Sequence, residues 1–252
     1  MTRGLSERQR DALDRYFGLM KAHPELFTDR TNRPIVQDPA RLQEFAQEHQ
    51  ADLGVLVATP YLWLVNDLVQ SRDSSGAILE YTYLRIIAPP GQGAAAGVVA
   101  LATVHRPEDG QGVESIVLVE QERHATGSLE LELPRGFANP NEPAELHILE
   151  ELRTETGYVG TNAEHLGTTL TDSGLTDRAV AFFHIPVTDR ISESPESREA
   201  IRRSVLLTKT ELWSRIFSGE IRDAFTVQAL ALYEGRLIRS GQNGKGSSPG
   251  QG

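Results

Sequence analysis

The chain has no cysteine in 252 residues. Disulfides, thiolate metal sites and cysteine nucleophiles are excluded together. It also lacks any apolar run approaching the length of about 18 residues that a membrane-spanning helix needs. Residues Met1 to Arg10 hold no apolar stretch of the kind that opens a secretory signal. Basic charge is in deficit: 25 Lys and Arg face 35 Asp and Glu, for a net charge of −10 and a pI near 5.2. No broad basic surface is then available to neutralise a nucleic-acid backbone. These absences give the expectation of a cytoplasmic protein with no membrane and no nucleic-acid partner. Small polyanions stay open as ligands, because a bound metal or a few local arginines invert the charge of one pocket.

What is present is an ordinary globular balance of 39% apolar and 24% charged residues. The length suits one substantial core with an extension. Residues 6–22 are expected as a helix capped by Ser6, with Ala12, Leu13, Tyr16, Phe17 and Met20 at helical spacing. A second helix is expected over 39–49, carrying Leu42, Phe45 and Ala46. The β-branched and aromatic stretch 54–65 and the strand-like 78–87 flank the turn Ser74-Ser75-Gly76, which predicts a hairpin. A Gly/Ala/Pro loop at 89–97 leads to strands near 97–105, 114–120 and 129–133. A helix over 143–156, stopped by Gly157, is followed by strands near 165–170 and 179–185 and by helices near 209–218 and 222–233. The expected division is a helical extension over 1–52, a hairpin over 53–92, a main domain over 93–236 and a disordered tail over 237–252, rich in Gly, Ser and Gln from Gly241 on.

The segment that carries chemistry runs from Gly136 to Tyr158. Glu151 and Glu155 are four residues apart, so their carboxylates lie on one helix face, with His147 a turn earlier. Like charges at that spacing repel by roughly 0.2–0.5 kcal/mol, and a divalent cation between them reverses the sign. Magnesium takes oxygen ligands and often only one or two protein carboxylates. The alternative for an arbitrary helix is a solvated acidic face. For His147 the reading is a helix-surface histidine.

The spacing resembles the Nudix box: a glycine, five residues, a glutamate, seven residues, then Arg-Glu-apolar-any-Glu-Glu-any-Gly-apolar. Gly136, Glu142, Glu151, Leu152, Glu155, Gly157 and Tyr158 fall in register. Leu129 to Gly136, Val119 to His124, and Ser218 to Thr226 resemble, in order, the box approach, the Arg-Gln-Tyr-Arg strand end and the closing helix entry of the ADP-ribose pyrophosphatase branch. The resemblance covers roughly residues 54 to 235. Two positions depart from the box, with Glu150 in place of its arginine and Thr154 in place of a glutamate.

The resemblance implies an α/β/α Nudix sandwich with a mixed sheet, preceded by a helical arm and β-hairpin. It implies a Mg2+- or Mn2+-dependent hydrolase that cleaves the diphosphate bond of a nucleoside diphosphate linked to another group, of ADP-ribose or nucleotide-sugar type, working as a homodimer. Glu151, Glu155 and the carbonyl of Arg135 would be metal ligands. Asp177 would orient the attacking water, since Arg178 stands where the branch carries its glutamate. Asp177 as a turn cap within 174–178 stays an alternative. Arg123, Arg135 and Arg178 are candidate phosphate ligands, with ion pairs to Glu130 or Glu132 as the alternative for the first two. A non-catalytic nucleotide-sensing module on the same fold is the alternative function.

Overall fold

The computed structural model describes residues 4–28, 33–89, 97–105, 114–137, 142–191 and 200–243. Residues 138–141 of the box, 90–96, 106–113 and those from 244 on lie outside these. The chain divides into two compact units. One holds 1–94 together with 170–178, and the other holds 95–169 and 179–252. No helix among the described residues is long and apolar enough to cross a membrane.

In the first unit, α1 (Glu7–Ala22) starts at a capping box in which Ser6 and Gln9 satisfy each other's backbone amides. Helix α2 (Pro39–His49) starts at Asp38, whose carboxylate accepts from Ala40 N, and ends at Gln50 in the left-handed region (φ 50°). The expected two-strand hairpin is a three-stranded antiparallel sheet, β1 (Gly54–Ala58), β2 (Trp63–Arg72) and β3 (Ile78–Ile87). A tight turn splits the run at 54–65: the Thr59 hydroxyl accepts from the amides of Tyr61 and Leu62, and Pro60 has no N–H for a ladder. Leu13, Tyr16, Leu42, Phe45, Val65 and Leu68 share one core, so the helical arm and the sheet fold as one body.

That core carries one buried charge. Asp67, 1% exposed, takes the hydroxyl of Tyr16 at 2.5 Å and the guanidinium of Arg85 at 2.5 and 3.2 Å. Burial first, then the Asp67 charge, push the Tyr16 phenol far above its ordinary pKa, so it stays a donor. Removing one partner of a buried pair strands the other. Asp67→Ala is therefore expected to destabilise the unit by about 3–5 kcal/mol, read from its chemical unfolding transition; a change below about 1 kcal/mol would mean that the pair contributes nothing net.

The second unit is built on a mixed sheet with central order β11-β5-β4-β10-β8. Its strands are β4 (Gly97–His105), β5 (Glu114–Arg123), β6 (Ser128–Glu132), β7 (Arg135–Phe137), β8 (Tyr158–Gly160), β9 (Glu164–Leu170), β10 (Ala179–Arg190) and β11 (Ile201–Thr208). Strands β4 and β10 are parallel. Side chains alternate by face along β4. Val98, Ala100 and Ala102 join Ile148 and Leu152 of α3 (Ala144–Thr156) in one core. Val99 and Leu101 join Leu212 of α4 (Lys209–Phe217) and Leu230 of α5 (Ala224–Asn243) in another. The result is an α/β/α sandwich.

Strand β11 has no counterpart in the sequence reading. Its Arg202 and Arg203 interrupt the apolar pattern, and they are exposed, pairing with Glu122 and Glu120 of β5. Helix α5 runs on to Asn243, into the stretch expected as tail.

Candidate active site

Strands β4 and β5 pair directly only where Thr103–His105 face Glu114–Ile116. Beyond that they splay, and one extended segment fills the gap. Glu132 sits opposite Val119 of β5, and three residues later Arg135 sits opposite Val99 of β4. Pro134 lies at the crossover, with its carbonyl accepting from Ala100 N at 2.9 Å. The approach to the box is thus pinned in mid-sheet, with α3 above it.

Glu151 and Glu155 both face this segment. A Cβ on Gly136 would lie 2.0 Å from Glu151 Oε1 and 2.3 Å from its Cδ, so the missing side chain is the space that the carboxylate occupies. Glu155 is 4% exposed and accepts the amide N–H of Arg135 at 3.1 Å. It stands in the last turn of α3, where the macrodipole is negative and a carboxylate is disfavoured. Helix geometry brings a second carboxylate one turn away. An acidic pair at the wrong end of a helix, one member buried, calls for positive charge.

Part of that charge comes from two arginines. Glu132, 1% exposed, accepts Arg123 Nε on Oε1 at 2.6 Å and Arg123 Nη2 on Oε2 at 3.0 Å. Its Oε2 also takes Arg135 Nε at 2.8 Å and Nη2 at 2.6 Å. The ion-pair alternative for both arginines therefore has its partner, a buried one. Burial works against the Arg123 charge, but the hydrogen bond and charge of Glu132, with the fields of Glu155 and Asp223, raise its pKa beyond the ordinary value. Arg135 also lies 3.8 Å from Asp223 Oδ1 and over the Phe225 ring at 4.8 Å. Asp223 caps α5 by accepting Thr226 N and Oγ1 at 2.8 Å, and Thr226 Oγ1 accepts Leu133 N at 3.1 Å. Arg123 lines a cavity of about 480 Å³ with His124, Ser128, Leu129 and Arg202.

The two departures from the box are accommodated locally. Glu150 pairs with Arg153 on the exposed face, and that hydrogen bond lowers the pKa of its carboxyl. The Thr154 hydroxyl bonds back to the carbonyls of Glu150 and Glu151. Glu150→Ala is expected to change stability by less than about 1 kcal/mol, as for other exposed pairs, measured by thermal unfolding; a larger loss would show that Glu150 supports more than Arg153. His147 Nε2 lies 3.1 Å from a Glu142 oxygen but out of hydrogen-bonding geometry.

Asp177 and Arg178 belong to the first unit, on the 170–178 loop. The turn there is capped by Asp172, not Asp177: its carboxylate accepts Gly174 N, and its carbonyl accepts the amides of Leu175 and Thr176. Asp177 is exposed. The loop is fastened to β3 by Ile86 N to the Leu175 carbonyl and by the Tyr83 hydroxyl to the Gly174 carbonyl, both at 2.8 Å. Among the described residues no cluster of three or more His, Cys, Asp or Glu forms a metal cage. Two carboxylates, the set the sequence predicts, fall below that threshold and match a cation that keeps most of its shell for water and phosphate.

No family model matches the chain. It is 30% identical over 141 residues to a Caenorhabditis elegans protein named "Putative nudix hydrolase 2", an alignment covering 56% of this chain and 60% of the relative. Over 64 residues it is 42% identical to the ADP-sugar pyrophosphatase of Mus musculus, covering 25% of this chain and 29% of that one. A solved structure described as an ADP compounds hydrolase shares the fold, with TM-score 0.55 and 17% identity, over 76% of this chain and 92% of that one. This chain is similar in sequence to a nudix hydrolase and shares the fold of an ADP compounds hydrolase. Its matches span less than two thirds of either curated relative's length. Within the Nudix fold, the β6–β7 crossover and the α3 carboxylates are the elements that meet, and Glu132 is the residue that the sequence reading named only as a partner.

Proposed function

We propose that this protein is a divalent-metal-dependent hydrolase that cleaves the diphosphate bond of a nucleoside diphosphate linked to another group, of ADP-sugar type. The observation that carries this is the Glu151/Glu155 pair, set against a glycine and the Arg135 amide at the negative end of α3. The mouse relative's name, ADP-sugar pyrophosphatase, points to the same substrate class.

Glu151 and Glu155 would hold the cation, Mg2+ or Mn2+, beside the Arg135 backbone. Bound there, it would polarise a phosphoryl oxygen and neutralise diphosphate charge. Arg123 and Arg135 would bind phosphate oxygens, for which a planar guanidinium fork is suited. The cavity beside Arg123 offers room for part of the substrate. Asp177 would accept the proton of the attacking water, and Arg178, which cannot act as a base, would bind.

The test is a screen of ADP-ribose, ADP-glucose and nucleoside triphosphates with and without magnesium, reading AMP release. AMP from the ADP-sugars, lost on chelation, is expected; no metal-dependent product from any of them would leave the nucleotide-sensing alternative. Asp177→Asn should lower kcat roughly hundredfold with little change in KM. Unchanged turnover would remove Asp177 from the reaction.

The proposed partner is a second copy of the chain. The three-stranded sheet exposes Val57, Ile78, Leu79 and Leu84 at 41–54%, and apolar surface of this kind favours association. Light scattering at twice 27.8 kDa is expected; a strict monomer would end the dimer proposal.

A further inference from the structure

Glu132 is the least exposed carboxylate at this site, yet it is four residues before the box glycine and outside the box itself. Burying a lone carboxylate is costly, so its partners account for its presence. Those partners are two guanidinium groups that reach it from different strands, Arg123 from the end of β5 and Arg135 from β7. Both side chains stay partly open to solvent, Arg123 at 32% and Arg135 at 26%, while the carboxylate between them is closed off. Glu132 thus holds the pair from the interior side. Arg135 in addition donates its amide to Glu155, so one residue ties the arginine pair by side chain and the acidic pair by main chain.

We propose that Glu132 is a positioning residue that fixes Arg123 and Arg135 as one preset receptor for the anionic substrate, in register with the Glu151/Glu155 carboxylates. This rests on the diphosphatase reading above. Charge and geometry make opposite predictions about it. By charge alone, a carboxylate beside two arginines weakens anion binding, and removing it should tighten the site. By geometry, removing it frees two long side chains whose ordering must then be supplied at the moment of binding.

The experiment compares the full-length wild type with Glu132→Gln and Glu132→Asp, using ADP-ribose turnover and calorimetric binding of ADP. For Glu132→Gln the KM for ADP-ribose should rise on the order of 10–100-fold, the range typical of partners that orient ligating groups. Its kcat should move far less, and the magnesium concentration for half activity should stay put. Glu132→Asp keeps the charge but retracts it by one methylene, and it should fall between. A KM that is unchanged while thermal stability drops would make Glu132 merely structural, and a lower KM would make it an electrostatic brake; either overturns the proposal. If Glu132→Gln does not fold, the aspartate variant decides alone: a wild-type KM overturns. If the wild type hydrolyses no diphosphate, the functional reading fails by itself, and ADP binding then judges Glu132. Weaker ADP binding by the variants supports the proposal, and equal binding in all three, or none in the wild type, overturns it.

Discussion

Glu155→Gln is expected to reduce turnover of an ADP-sugar by about three orders of magnitude at saturating magnesium, with the fold kept. The substitution keeps size and shape. The amide oxygen of glutamine still accepts from Arg135 N, now at 3.1 Å from the carboxylate, so the link between α3 and the β6–β7 segment survives. What disappears is one of two negative charges in the oxygen set that faces the glycine. Metal contributions of several kcal/mol to transition-state stabilisation, at 1.36 kcal/mol per tenfold, give about 10³. Removing a repelling charge from the negative end of a helix favours the fold slightly. The prediction is therefore a split: kcat collapses while the unfolding midpoint holds or rises. Wild-type turnover in this variant would remove Glu155 from the chemistry.

Gly136→Ala should be nearly as damaging through a different cause. The backbone of Gly136 does not need glycine for its conformation, since it is not among the positive-φ glycines. The three atoms nearest the ideal Cβ all belong to Glu151, its Oε1, Cδ and Cγ at 2.0, 2.3 and 2.9 Å. These belong to a flexible side chain, so the fold escapes by swinging Glu151 away. Activity does not escape, because the carboxylate leaves its place beside Glu155. A loss on the order of 10²–10³-fold in kcat, several kcal/mol expressed at 1.36 per tenfold, is expected with unfolding stability within about 1 kcal/mol of wild type. A stable variant with full activity would show that Glu151 works from another rotamer. An inactive variant with a large stability loss would mean that the crossover itself had been disturbed.

Much of this architecture could be read before any coordinates. Helices α1, α2 and α3 announce themselves by period, cap and stop: Ser6, Asp38-Pro39 and Gly157 are strong local signals. Strands β4 and β5 are buried on both faces, and their continuous apolar runs show it. The elements that escaped are those whose identity comes from partners distant in sequence. β11 is charged near its start because its arginines answer glutamates on β5. Three-residue strands such as β7 and β8 are too short for any period to appear. At the site, the α3 carboxylates were legible because helix geometry alone puts them on one face. Glu132 was not, since a buried acid reads like any alternating strand residue until both arginines close on it. The capping role on the 170–178 loop went to Asp172 because its carboxylate precedes the turn it closes.

The fastening of the 170–178 loop to β3 has a consequence for how the chain comes together. Tyr83 and Gly174 meet although they are 91 positions apart in sequence. During synthesis, the first unit therefore emerges from the ribosome with its β3 edge still lacking this partner, and stays so until most of the sandwich has been made. Non-local closures of this kind are slow and leave an adhesive strand edge open meanwhile. The first unit is thus begun before the sandwich and completed only once residues 170–178 have been made.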